Sequence, residues 1–102
     1  MTLEVLFRPE AEADIEDAAV WYESQRARLG QAFLDEVASL TQALSEQPRV
    51  APVVHRSTRR ALLSRFPFAM YYRIVGDRLV VLAVMHGSRH PRRWKARSSM
   101  SD

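Results

Sequence analysis

The residues best suited to chemistry in this sequence are basic and aromatic, and they concentrate in its C-terminal half. Arginine presents a planar fork of N–H donors that matches phosphate or carboxylate oxygens in pairs. Several arginines interleaved with aromatic rings indicate a recognition surface for an anionic partner, which could be RNA, DNA or an acidic protein segment. The set comprises Arg56, Arg59, Arg60, Arg65, Tyr71, Tyr72, Arg73, His86, Arg89, His90, Arg92, Arg93, Trp94 and Arg97.

Other kinds of site find little support in the sequence. There is no cysteine, which excludes disulfides, thiolate metal sites and thiol nucleophiles. His86 and His90 straddle a predicted strand end with no carboxylate near them in sequence, so no metal site is expected. Ser64 and Ser88 lack the context of a nucleophile, and the three glycines are isolated. We therefore expect neither a metal nor a cofactor.

The charge is strongly divided along the chain. Residues 1–46 hold ten acidic residues against three Arg, a net charge of −7. Residues 47–102 hold twelve basic residues against two acidic ones, a net charge of +10. Fourteen of the fifteen basic residues are Arg, and Lys95 is the only Lys. This division predicts an acidic face and a basic face, and an acidic segment of a partner is expected to pair with several of the arginines.

The length of 102 residues suits one domain, which we place at residues 1–97. Residues 98–102 are predicted to be a disordered tail. No apolar run is long enough for a membrane span, and the N-terminus does not resemble a signal peptide. The expected location is the cytoplasm, with no membrane partner.

The spacing of apolar residues predicts the order strand, helix, helix, strand, strand, strand. Gly30 is expected to end the first helix in the left-handed conformation, and Gly76-Asp77 to form a two-residue hairpin turn of type II′. Residues 48–58 read as a loop or an irregular edge strand. The predicted elements are a strand at 2–7, helices at 9–28 and 31–46, and strands at 61–65, 69–75 and 78–85.

These elements predict an α+β fold in which an α-hairpin covers one face of a four-stranded, mostly antiparallel sheet. Along one strand, alternation turns Met70 and Tyr72 one way and Tyr71 and Arg73 the other. Several arginines should share the face left open by the hairpin, and Trp94 should anchor the C-terminal segment. The predicted core is Val5, Phe7, Ile15, Phe33, Val37, Leu40, Leu62, Ile74, Leu82 and Val84.

Two long runs make the chain resemble a known superfamily. Residues 59–74, which contain Arg65-Phe66-Pro67-Phe68, and residues 81–94, which contain His86-Gly87-Ser88-Arg89-His90-Pro91-Arg92-Arg93-Trp94, are similar to RelE/ParE toxins. The resemblance covers about residues 3–97 and includes Pro9-Glu10-Ala11 and Trp21-Tyr22 near the start. It implies the β-α-α-β-β-β fold of that superfamily, with its α-hairpin on a small sheet.

The resemblance also implies a function. Members are toxins of type II toxin–antitoxin (plasmid-stabilisation) modules, and each is neutralised by a cognate antitoxin with an acidic, partly disordered segment. The sequence leans towards the ParE-like branch, which inhibits DNA gyrase and has no known catalytic residues. We therefore assign no catalytic residue here. The predicted surface for target or antitoxin is Arg59, Arg60, Arg65, Arg73, His86, Arg89, Arg93 and Trp94.

Two alternatives stay open at this point. A RelE-like protein would cut mRNA on the ribosome without a metal, although the single Lys95 weakens this interpretation because Arg is a poor general acid or base. A degenerate member would survive only as a binding partner. For the RelE-like alternative, the residues around the scissile phosphate would be Arg60, Arg65, Tyr72, Arg73 and Arg89.

Overall fold

The computed structural model describes residues 2–87 and 91–98. Pro9 at the first helical position and acidic side chains in the first turn favour the start of the first helix, as the sequence indicates. The elements are β1 (Glu4–Phe7), α1 (Pro9–Gln25), α2 (Leu29–Glu46), β2 (Val53–His55), β3 (Thr58–Leu62), β4 (Phe68–Val75), β5 (Arg78–His86) and α3 (Pro91–Ser98).

In the part of the chain that the structure describes, the sheet has five strands in the order β1-β5-β4-β3-β2, one more than predicted. The strand β1 runs parallel to β5 and the other pairs are antiparallel. The additional strand is β2, the irregular edge that the sequence left open as a loop. β3 lies earlier than predicted because residues 63–65 turn away from it: Leu63 already bonds Phe68 across the turn, and Ser64 and Arg65 bond a helix.

The turn between α1 and α2 does not use Gly30 as predicted. Arg28 takes the left-handed conformation, with φ of 72°, and Gly30 lies inside α2. A glycine is required at position 30 because α1 and α2 approach closely there. A Cβ on this residue would come within 2.5 Å of the Ala19 carbonyl oxygen. The Glu23 carboxylate accepts hydrogen bonds from the backbone N–H groups of Arg28 and Gly30 and so caps the start of α2.

The main core lies between the hairpin and the sheet. Phe33, Val37 and Val84 are buried in it as predicted, and Leu82 is buried as well. Five other predicted core residues are partly buried against this cluster: Val5, Phe7, Ile15, Leu40 and Ile74. The prediction for Leu62 was wrong, because its side chain is 65% exposed. Neighbouring Ala61 points into the hairpin core, so alternation turns Leu62 to the opposite face.

The second face of the sheet is not open, because α3 packs on it. The Trp94 ring stacks on Tyr71 with centroids 4.4 Å apart, which confirms Trp94 as the anchor of the C-terminal segment. The predicted tail boundary was wrong at Ser98. This residue ends α3, is 4% exposed, and accepts a 2.6 Å hydrogen bond from the Thr58 hydroxyl. Residues 99–102 lie outside the described residues.

Candidate functional site

Three of the predicted binding residues lie towards one end of the sheet, which we call the sheet end: His86 and Arg93 line one cavity there, and Arg65 is carried by the adjoining β3–β4 loop. Backbone pairing sets His86 beside Phe68, as predicted, with their rings 5.6 Å apart. The Gly87 N–H donates to the Pro67 carbonyl at 2.8 Å, which joins the loop that carries Arg65 to the end of β5. The sheet end is thus built from the β3–β4 loop, β5 and α3.

A small cavity of about 260 Å³ lies at the sheet end. His86 and Arg93 line it together with Asp14 and Asp17 of α1. Asp14 is already paired with Arg97, which leaves Asp17 and Arg93 as side chains of opposite charge in the lining. Arg89 and His90 fall outside the part of the chain that the structure describes.

Two other predicted binding residues, Arg60 and Arg73, lie on the second face of the sheet, apart from the sheet end. Arg60 is opposite Tyr71, and Arg73 donates to the Ser98 carbonyl at 3.4 Å. Trp94 is buried between this face and α3, so it holds the fold and is not presented to a partner. The open arginine surface predicted from the sequence is therefore largely occupied by α3.

The remaining predicted binding residue, Arg59, is structural. Its guanidinium donates to the carbonyls of Arg49 and Ala51, at 3.2 and 2.7 Å, and fixes the segment between α2 and β2. Tyr72 serves the same segment from the hairpin side, donating its hydroxyl to the Pro48 carbonyl at 2.7 Å. Burial raises the pKa of Tyr72 above its ordinary value.

Glu36 has a role that sequence reasoning missed, because acidic residues on a helix surface are usually solvated. Its carboxylate accepts hydrogen bonds from the Ser64 and Arg65 backbone N–H groups, the Ser64 hydroxyl and Arg65 Nε. Burial is the largest single influence on the pKa of Glu36 and raises it. The hydrogen bonds from Arg65 and Ser64 together outweigh burial and hold that pKa below its ordinary value.

A second missed contact closes the free edge of β5. Tyr71 and Tyr72 pair with Ala83 and Val81, which leaves Leu82 as a bulge residue. The Leu82 carbonyl accepts from Arg97 at 3.2 Å, and the Val84 N–H donates to Asp14 at 3.0 Å. Arg97 and Asp14 pair with each other at 2.6 Å. This Asp14–Arg97 clamp joins α1, β5 and α3, although its partners are 83 residues apart in sequence.

An apolar groove of about 800 Å³ lies between α1 and α2, with β1 at its floor. Val20 and Leu34 are 65% and 38% exposed there. Glu12 and Glu16 line the α1 side of the groove. Sequence reasoning missed this groove because Val20 lies outside the apolar stripe predicted for the first helix, which is Ala11, Ile15, Ala18 and Tyr22. The remaining lining residues are Val5, Phe7, Ile15, Ala19, Val37, Ala38, Thr41 and Gln42.

Two further properties limit the kinds of site. Among residues 2–87 and 91–98, no group of three or more His, Asp or Glu is placed to hold a metal ion. None of the helices in those same ranges is long and apolar enough to cross a membrane.

The sequence itself decides the family. Residues 5–91 match the model of the ParE toxin of the type II toxin–antitoxin system ParDE. The chain belongs to the ParE toxin family. This match includes the groove, the sheet and the β3–β4 loop, and it ends at the first residue of α3, so the second half of the Asp14–Arg97 clamp lies beyond it. No curated protein sequence is significantly similar to this ParE family member.

Solved structures share the ParE fold. The chromosomal ParDE toxin–antitoxin system from P. aeruginosa has a chain of 17% identity that superposes with a TM-score of 0.65. That match covers 85% of this chain and 98% of the other. The toxin–antitoxin complex RelBE2 from Mycobacterium tuberculosis matches at 25% identity and a TM-score of 0.60, covering 84% and 99%. Both confirm the RelE/ParE-like α+β fold that the sequence predicted.

Proposed function

We propose that this protein is the toxin of a bacterial type II toxin–antitoxin pair, acts in the cytoplasm, and inhibits DNA gyrase by binding without a catalytic step. Membership of the ParE toxin family supports the toxin role. One observation carries the non-catalytic part of the proposal. The residues that a RelE-like nuclease would use are distributed over different places, with Tyr72 on the hairpin side of the sheet and Arg73 on the other.

Proton transfer in a nuclease requires an acid or base within about 3 Å of the reacting oxygens. The Tyr72 hydroxyl is committed to the Pro48 carbonyl, and burial raises the pKa of this phenol further from neutrality. Arg65 lies at the sheet end and not beside Tyr72. The described members of the nuclease set therefore do not surround one phosphate, and a binding mechanism fits their placement better.

RelE-like cleavage of ribosome-bound mRNA is the second candidate, because the RelBE2 complex shares the fold at 25% identity. Purified protein assayed for gyrase supercoiling and for ribosome-dependent mRNA cleavage separates the two candidates. We expect loss of supercoiling and no cleavage. Tyr72→Phe should keep the inhibition, since it removes only the bond to Pro48. Cleavage that Tyr72→Phe abolishes would overturn the gyrase proposal, and a protein inert in both assays would favour a degenerate member.

The partner that we propose for the groove is an amphipathic helix of the antitoxin. The apolar floor would take the apolar side chains of such a helix, and the acidic rim at Glu12 and Glu16 favours Lys or Arg beside them. From Glu12 to Glu23, which lines an adjoining hollow beside Val20, α1 rises roughly 16 Å at 1.5 Å per residue. That length accommodates about three helical turns. An acidic antitoxin segment, as the sequence led us to expect, fits the basic C-terminal half instead.

The groove proposal is tested by measuring the affinity of toxin variants for the antitoxin, for which the product of the neighbouring gene is used. Leu34→Asp places a charge in the apolar wall and should weaken binding more than about tenfold, since a buried unpaired charge costs several kcal/mol. Leu62→Asp is the matched control, because Leu62 is also exposed but lies on the other face of the sheet. Equal affinities of both variants, measured by calorimetry, would contradict the groove as the seat of the antitoxin.

A further inference from the structure

The β3–β4 loop gathers its hydrogen-bond donors on one carboxylate. Both backbone N–H groups of Ser64 and Arg65 point at Glu36, as do the Ser64 hydroxyl and Arg65 Nε. The Glu36 side chain is only 12% exposed, whereas that of Arg65 is 67% exposed. A carboxylate in contact with four donors from two successive residues fixes both the loop and the base of the Arg65 guanidinium.

The outer edge of the same guanidinium is open. Arg65 contacts Glu36 through Nε at 3.2 Å, and within the described residues no side chain or carbonyl accepts from its two terminal nitrogens. The guanidinium carbon lies 5.7 Å from the centre of the Phe66 ring, which itself is buried between Tyr22 and Phe33. The guanidinium is thus supported on one side by a ring and on another by a carboxylate.

A flexible surface Arg loses side-chain entropy when it binds an anion, and this loss reduces its affinity. An Arg already held by Nε has lost part of that freedom in the free protein. Its two terminal nitrogens then present a fork that matches the two oxygens of a carboxylate. We propose that Arg65 is a preoriented receptor for a carboxylate of a protein partner, and that Glu36 is its positioning residue.

The surroundings favour a carboxylate over a nucleic-acid backbone. Glu36 already balances the charge of Arg65, and the exposed Asp35, which precedes it on α2, adds a further negative charge to that helix. A polyanionic strand across this fork would also run along a helical hairpin within a segment of net charge −7. A single carboxylate on a protein partner would contact only the two terminal nitrogens of Arg65 and would not extend along the acidic hairpin. The inference rests on the proposed function, in which the antitoxin or the target protein supplies that carboxylate.

The test uses ¹⁵N-labelled protein, to which a blocked alanine peptide with a single Glu is added, followed by NMR. The peptide should shift the Arg65 Nε–H resonance and the Ser64 and Arg65 amide resonances. Arg65→Lys keeps the positive charge but loses the two-pronged guanidinium. The peptide concentration that half-saturates the shifts of the two loop amides should therefore rise about tenfold, as expected for one lost charge-assisted hydrogen bond. Glu36→Gln should weaken the same site severalfold. Arg92→Lys, on the exposed side of α3, is the control and should leave it unchanged.

The outcomes separate this inference from the proposed function. If Arg65→Lys has wild-type thermal stability and binds the peptide at the loop as tightly as the wild type does, Arg65 is not the carboxylate receptor. Unchanged affinity in Glu36→Gln would overturn the positioning role alone. Stronger shifts from an oligothymidylate than from the single-Glu peptide would show that Arg65 binds phosphate in preference to a carboxylate. Toxicity assays of Arg65→Lys with and without the antitoxin then show which protein the fork binds, whereas a wild-type protein without toxicity contradicts only the proposed function.

Discussion

The two faces of the sheet differ in which charged and apolar groups they leave exposed. On the hairpin face the charged residues stay at the surface, and an apolar groove is left open between α1 and α2. On the second face α3 covers the sheet, and arginines such as Arg73 and Arg97 bond carbonyls of the fold. A basic sequence half therefore does not mean a basic binding surface, because much of its charge is already used within the protein.

The difference has a physical origin in the lengths of the elements. β1 has four residues and pairs with only the first part of β5, so the rest of that edge has backbone groups without a strand partner. The Asp14–Arg97 clamp satisfies those groups and fastens α3 at the same time. Within residues 2–87 and 91–98 no corresponding element covers the groove, and we therefore propose the hairpin face as the seat of a partner helix.

The largest effect is expected from removing the anchor of the closed face. Trp94→Ala should lower the free energy of unfolding by about 3 kcal/mol, because it deletes a buried ring stacked on Tyr71. Urea denaturation measures the change. Trp21→Ala is the control on the hairpin, since that Trp is largely exposed, and it should cost less than about 1 kcal/mol. Equal losses would mean that α3 does not close the second face.

The next effect concerns the clamp. Asp14→Asn should cost about 2 kcal/mol, because it leaves the guanidinium of Arg97 nearly buried without its charge partner. Glu4→Gln breaks an exposed ion pair with Arg78, at 3.2 Å, and should change stability by less than about 0.5 kcal/mol. A double-mutant cycle with Arg97→Ala isolates the pair, and a coupling energy near zero would show that the clamp does not hold α3.

A smaller, pH-dependent effect is expected where the hairpin meets the β3–β4 loop. Because the folded-state pKa of Glu36 lies below its unfolded value of about 4.3, its carboxylate stabilises the fold above that pH. This contribution is lost as the pH falls through the lower folded pKa. Glu36→Gln should therefore be less stable than the wild type at neutral pH, with the gap closing in acid. Denaturation midpoints between pH 3 and 7 test this, and a gap that widens in acid would contradict it.

The smallest effect tests the strand register that separates the two faces. Leu62→Ser should leave stability within about 0.5 kcal/mol, because the side chain is exposed. The adjacent Leu63 is buried, and Leu63→Ser should cost more than about 2 kcal/mol. Thermal or urea unfolding of the pair is sufficient. If Leu62→Ser lowered the free energy of unfolding more than Leu63→Ser, the strand register would be one residue away from the one described, with the two side chains on exchanged faces.

Much of the fold could be read from local pattern. The helical stripe with Phe33 and Val37, the alternation of Met70 and Tyr72, and the Gly76-Asp77 turn each depend on neighbours close in sequence. Gly76 has φ of 61°, in the positive range that such a turn requires. The motif runs also placed the chain in the correct superfamily. These features are encoded locally because backbone geometry fixes the periods of 3.6 and 2.

The functional surfaces depended on contacts between distant residues. The sequence indicated which residue types matter, but not that Arg59 would bond carbonyls or that Glu36 would hold a loop 28 residues away. The predicted arginine surface thus divided into structural residues and a few exposed ones. The sequence by itself determined both long helices, the strands β1, β4 and β5, the family and the division of charge. Only the tertiary structure decided which charges are free to bind, because burial and hydrogen bonding depend on what packs beside each side chain.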